Sequence, residues 1–136
     1  MGQAGVLKRL TFYSEHNYGT PRPEVPLVVH GPSGDSPPLY ALLDTGARPS
    51  VFQVSVASLL GIGDVTAGQP STLLLPDGSE PDSWVFPAEA TILGHRIRFD
   101  ISFCPAFAPT MQNVLGMNAI GQIIFAIEHA NTSVYA

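Results

Sequence analysis

Apolar residues along this chain come in short runs closed by glycine, proline, serine or aspartate, the pattern of strands joined by tight turns. Residues 6–13, with Leu10, Thr11, Phe12 and Tyr13, read as an opening strand, and 14–24, holding Asn17, Gly19, Pro21 and Pro23, as a loop. Residues 25–30 form a second strand, 31–38 a turn and 39–43 a third strand. Together they make a hairpin whose outgoing arm ends at Asp44. Beyond it, Val54, Val56, Ala57, Leu59, Leu60 and Ile62 are spaced to bury one face of a short helix within 50–62. Ser55 is its expected cap, and Gly61 and Gly63 are its stop signals.

A second hairpin is expected from 72–75 to 83–92, turning at Pro76-Asp77-Gly78-Ser79. Its polar, glycine-containing tip suits a mobile flap or an ordinary surface turn. Trp84 and Phe86 on the return arm either line a pocket or support the core. Gly94-His95 turns between extended stretches 88–93 and 96–103, the apolar run 111–115 leads into Gly116, a helical turn covers 117–121, and 123–127 is the last clear strand. The tail after His129 is weakly strand-like. No linker or internal repeat interrupts the chain, so its 136 residues are expected to form one all-β domain.

Composition narrows the function. Thirteen glycines and thirteen prolines leave little room for long helices. Hydrophobic residues make up 45% of the chain and charged ones 12%, so apolar surface is either exposed or covered by association, which favours an oligomer. The net charge of −5, with no Lys/Arg run, argues against nucleic acid as a partner. Cys104, the single cysteine, excludes an internal disulfide and reads as a small buried hydrophobe. The first residues lack the apolar core of a signal peptide and no run is long enough to span a membrane, so the expectation is a cytoplasmic chain with no membrane partner.

The candidate chemistry sits in Ala41-Leu-Leu-Asp44-Thr45-Gly46-Ala47, where an apolar strand delivers one acid into a glycine turn. Such an acid is partly desolvated and close to free backbone N–H groups. With Ser50-Val51 just beyond, a short helix, a hairpin and a final Val114-Leu115-Gly116, the order of features resembles the retropepsin-like aspartic proteases over residues 25–129. That resemblance implies an acid-protease β-barrel with one short helix after the catalytic loop and one near the C-terminus. It also implies an aspartic endopeptidase that needs no cofactor or metal and acts on extended peptide or protein substrates.

Peptide hydrolysis by this route needs two carboxylates sharing a proton, and the chain supplies one Asp-Thr-Gly. The resemblance therefore implies a homodimer with Asp44 from each copy meeting across a two-fold axis. Thr45 would reach the partner loop, the Gly46 N–H would bond the carboxylate, Ala47 would leave room for substrate main chain, and Ser50 would support the turn. Arg48, Asp77, Gly78 and Ser79 are the expected substrate-binding positions. Arg48 stands where retroviral members commonly carry an acid, which leaves it to pair with a carboxylate or to meet the substrate. Two carboxylates so close resist joint ionisation, so activity is expected to peak at acidic to mildly acidic pH.

The competing chemistries lack their residues. The four histidines are scattered without ligand spacing, and neither a Gly-x-Ser-x-Gly elbow nor a phosphate-binding glycine loop is present. The alternative that keeps the fold is a non-catalytic dimerisation or peptide-binding module with Asp44 as a structural acid.

Overall fold

The computed structural model describes residues 15–19, 22–128 and 132–136, so the opening strand expected over 6–13 lies outside the described residues. The first half of the chain carries β1 (Glu15–Asn17), β2 (Glu24–Gly31), β3 (Gly34–Asp35), β4 (Leu39–Leu43) and β5 (Ser50–Phe52). The second carries β6 (Gln69–Thr72), β7 (Asp82–Ile92), β8 (His95–Phe103), β9 (Asn113–Leu115), β10 (Ala126–Glu128) and β11 (Ser133–Tyr135). Strands β2, β4, β9, β5, β8 and β7 lie edge to edge in that order, and β7 pairs back onto β2, closing a six-stranded barrel. The fold is all-β, as expected. A small separate sheet, in the order β1-β11-β10, stands beside the barrel.

Alternation builds the barrel. Along β2, Val25, Leu27 and Val29 point inward and are essentially fully buried, and along β8 Ile97, Phe99, Ile101 and Phe103 do the same. On the neighbouring strand, β7 presents Ala88, Ala90 and Ile92, with the small Ala88 and Ala90 opposite Phe99 and Ile97, and the rings of Phe52 and Phe99 lie 6.4 Å apart. The closing seam sets Leu27 opposite Ile92 and Val29 opposite Ala90. Outside that seam His30 joins the β2–β3 turn to β7, with Nδ1 2.6 Å from Asp35 Oδ1 and Nε2 2.7 Å from Thr91 Oγ1.

Several expectations change. The loop expected over 14–24 carries strand β1 at Glu15–Asn17, paired with β11, and the incoming arm of the second hairpin is Gln69–Thr72 rather than 72–75. Residues 50–52 are strand rather than the start of a helix, because Ser50, Val51 and Phe52 are all buried between β8 and β9, and only a strand offers backbone partners to both. The helix beyond them is a 3₁₀ segment, Val54–Leu60, preceded by Gln53, so Ser55 lies inside it and caps nothing. Gly61 ends it as expected, in the left-handed region at φ 75°. Near the C-terminus, 123–127 is strand only from Ala126. Ile123 instead extends the helical turn Met117–Ile120 through its N–H to Ile120 O, and packs with Phe125 against the core. The tail forms a true strand, β11, because Val134 is fully buried and its neighbours pair with β1 on one side and β10 on the other. Among the described residues no helix is long and apolar enough to cross a membrane.

Phe52 is wholly enclosed, and Phe52→Ala is expected to lower stability by about 3–5 kcal/mol, read as a shift of the urea unfolding midpoint at constant slope.

Candidate active site

Asp44 leaves the end of β4, and topology dictates the path of the loop beyond it. Strand β9 lies between β4 and β5, parallel to the first with Leu43 opposite Leu115, and antiparallel to the second with Val51 opposite Val114. Adjacent strands are about 4.8 Å apart, so residues 44–49 must cross roughly 10 Å over the end of β9 to reach its other flank. Gly116 is the residue they cross. A Cβ there would lie 2.1 Å from Pro49 O, 2.6 Å from the Pro49 carbonyl carbon and 2.8 Å from Arg48 O. These are backbone atoms that cannot swing aside, so only glycine lets the loop lie this low.

Hydrogen bonds then pin the crossing to the strand beneath. The Asp44 N–H donates to Leu115 O (3.0 Å), the Met117 N–H to Ala47 O (2.8 Å) and the Asn118 N–H to Arg48 O (3.0 Å). Ser50, fully buried, accepts from the Gly116 N–H (3.1 Å) and donates to Asn118 Oδ1 (2.7 Å). Asn118 Nδ2 in turn donates to Asp100 O (2.8 Å), tying the assembly to β8. Ser50 thus supports the turn through partners far away in sequence. Asn118 carries three of these bonds to the two of Ser50, and no sequence motif singles it out.

The Asp44 carboxylate is half-buried, and its Oδ1 accepts the Gly46 N–H at 2.9 Å. A Cβ on residue 46 would stand 3.2 Å from that oxygen, a tight contact that would crowd the carboxylate. Thr45 is exposed and makes no side-chain hydrogen bond among the described residues. Ala47 contributes its carbonyl to the pinning and its side chain to the wall of a groove.

That groove encloses about 1450 Å³. Asp44, Gly46, Ala47 and Arg48 line one side of it, and the hairpin between β6 and β7 lines the other through residues 72–76 and Gly78. The hairpin is closed by hydrogen bonds from the Leu73 N–H to Pro81 O, the Leu75 N–H to Ser79 O and the Gly78 N–H to Leu75 O. Gly78 takes φ 85°, open to glycine and strained for other residues. At its base Val51, Leu73, Cys104 and Phe107 form a second apolar cluster, joined by Leu75, Met111 and Val114. The expected flap hairpin and the acid turn therefore face one space.

Not every candidate reaches it. Asp77 and Ser79 are absent from the wall and bond each other: Asp77 Oδ1 accepts the Ser79 N–H at 2.9 Å and its Oγ–H at 2.6 Å, which shapes the turn. The Ser79 hydroxyl, then its N–H, hold the exposed Asp77 carboxyl below the ordinary aspartate range. Trp84 and Phe86 also lie outside the wall. Phe86 packs on the main core, with its ring 6.0 Å from that of Phe103. Phe107, which does line the groove, sits in a stretch broken by Pro105 and Pro109 that carries no periodic signal, and Met111, at the start of the run that leads into Gly116, lines it too. Among the described residues no group of three His, Cys, Asp or Glu side chains could hold a metal ion. No protein-family model matches the chain, and no curated protein matches it in sequence.

Ser50→Ala would leave the buried Gly116 N–H and the Asn118 carbonyl without their partner, an expected loss of about 1–3 kcal/mol in urea unfolding. Because its folded carboxyl titrates below the unfolded value, Asp77 adds stability above that value and loses it as pH falls through the lower folded one. An NMR titration of the Asp77 carboxyl is expected to give a midpoint below that of a free aspartate, moving upward in Ser79→Ala.

Proposed function

We propose that the protein is an aspartic endopeptidase that works as a homodimer, each copy supplying one Asp44. The observation that carries this reading is the setting of that carboxylate: a backbone-braced acid, accepting the Gly46 N–H, lines a mainly apolar groove that the 72–79 hairpin also lines. Among the described residues no second carboxylate lines the groove, so on this reading the other acid comes from a second copy.

In the reaction, one Asp44 is ionised and its mate protonated, because like charges held this close share a proton. The ionised carboxylate takes a proton from water, whose oxygen bonds to the scissile carbonyl carbon. The protonated carboxyl gives its proton to the carbonyl oxygen, and a tetrahedral diol results. One carboxyl then gives its proton to the amide nitrogen while a diol hydroxyl returns its proton to the other carboxylate, and the C–N bond breaks, releasing an acid and an amine and leaving one proton on the pair. Thr45, exposed beside the acid, is available to hydrogen-bond the partner's loop. Closure of the 72–79 hairpin over the peptide would exclude bulk water.

A mixed peptide pool between about pH 4 and 7 tests this, and cleavage is expected to peak on the acidic side and fall at least ~100-fold in Asp44→Asn. Pepstatin, whose hydroxyl mimics the tetrahedral species, should inhibit. Dilution should lower activity per mole of chain as the dimer dissociates. If native protein and variant are equally inert while both remain dimeric by sedimentation, the domain is instead a non-catalytic peptide-binding module.

A further inference from the structure

The groove's charge is at odds with that of the chain. Eleven acidic residues outnumber six basic ones overall, yet the charged side chains lining the groove, among the described residues, are Arg22, Arg48 and the single acid Asp44. Arg48 stands out among them. It is exposed, lies four positions after Asp44 on the crossing loop, and its guanidinium has no ion pair or hydrogen bond among the described residues. In particular it does not pair with Asp44. The loop holds its backbone in place through Asn118 N–H to Arg48 O, so the side chain starts from a fixed point. Much of the rest of the wall is apolar, with Leu42, Val51, Leu73, Leu75, Phe107 and Val114 among its lining residues.

We propose that this groove selects extended peptides that carry an acidic side chain close to the apolar residues it packs, and that Arg48 is the residue that recognises the acid. The inference rests on the peptide-cleaving reading above and names its substrate class. Desolvated apolar walls take the hydrophobic side chains, and a fork of N–H donors at the rim takes a carboxylate in a charge-assisted pair. Four residues of loop reach at most ~14 Å, the length of about four residues of extended peptide, so the acid falls within that span of the bond cut. In a two-fold dimer an Arg48 stands on each side of the paired Asp44 residues, so an acid on either side of the cut satisfies one of them. An anionic polymer without apolar side chains, such as single-stranded nucleic acid, would leave the walls unfilled.

Three peptides of identical apolar centre, flanked by Glu, Gln or Lys, test the proposal. Their binding is measured by fluorescence anisotropy on Asp44→Asn, which holds substrate without turnover, and their cleavage on the native chain. Affinity and kcat/KM are expected to fall roughly fivefold at each step from Glu to Gln to Lys, and the spread should narrow with added salt. Arg48→Gln should abolish the difference between Glu and Gln peptides, and Arg48→Glu should reverse the order of Glu and Lys. As Arg48 is exposed, these variants should unfold at the native urea midpoint. Equal handling of all three peptides by the native groove, an unchanged order in Arg48→Gln, failure to bind any of them, or preferential binding of a single-stranded oligonucleotide each overturns the proposal. If the native chain cuts peptides regardless of flank, the endopeptidase reading survives and this inference falls. If it binds the Glu peptide selectively but cuts none, the reverse holds.

Discussion

The site depends on one close approach, that of the 44–49 crossing to the backbone of Gly116. A loop that must pass over the end of a strand normally stands off by the width of a side chain. With no Cβ beneath it, this loop drops until the Arg48 and Pro49 carbonyls touch the Gly116 backbone, and the Ala47 and Arg48 carbonyls come within reach of the next two N–H groups. Asp44 stands at the start of the crossing and inherits its rigidity. Its own N–H is committed to Leu115 O and its carboxylate to the Gly46 N–H, so the side chain is presented from a fixed frame. Ser50 closes the frame from below, fully buried, accepting from Gly116 and donating to Asn118.

The frame would be useless on a soft support. Strand β9 is only three residues long, and it stays in register because it is held on both flanks, by β4 and by β5, and because Leu115 is fully buried in the barrel. Those flanks belong to the closed ring, so the strands next to the acid are paired on both edges. The hairpin opposite has a different character. It rests on the smaller cluster around Leu73, Cys104 and Phe107, its tip carries Leu74 largely exposed at 73%, and its turn is held by bonds between Asp77 and Ser79 in open solvent. Few buried contacts beyond its base give a low local cost of opening.

The acid, the glycine after it and the two hairpins are legible in the sequence because each is a local event: alternation along a strand, then turn residues at fixed offsets. Gly116 beneath the acid loop is implied by the family resemblance, but the residues themselves do not show the crossing, since the parallel pairing of Leu43 with Leu115 joins segments far apart in the chain and leaves no periodic mark on either. Ser50 shows the difference. Its chemistry as a support for the turn is readable, but its partners, Gly116 and Asn118, are set by that register alone. Residues 50–52 look helical because the 3.6-residue spacing of 54–62 extends backward into them. Burial on both faces overrides that spacing, as it does at Val134 in a tail too short to show alternation. Asp77 and Ser79 look like ligand contacts for the reason that makes them good turn residues, and the turn uses both.

A half-buried carboxylate with one N–H partner is a stable arrangement in a single chain, and the backbone and side-chain groups that frame it have their own partners. On the proposed reading a single copy leaves the chemistry incomplete, because one acid can accept a proton from water or donate one to a carbonyl but not both at once. The frame therefore matters less for the single chain than for a pair. Bringing two carboxylates together carries an electrostatic cost, and a flexible loop would relieve it by moving the acids apart. A loop pinned to Leu115, Met117 and Asn118 resists that movement, so in the proposed dimer the repulsion would be relieved by sharing a proton instead. The rigidity built beneath Asp44 is thus the property that would turn association of two identical chains into an acid and a base of different strength from the same residue.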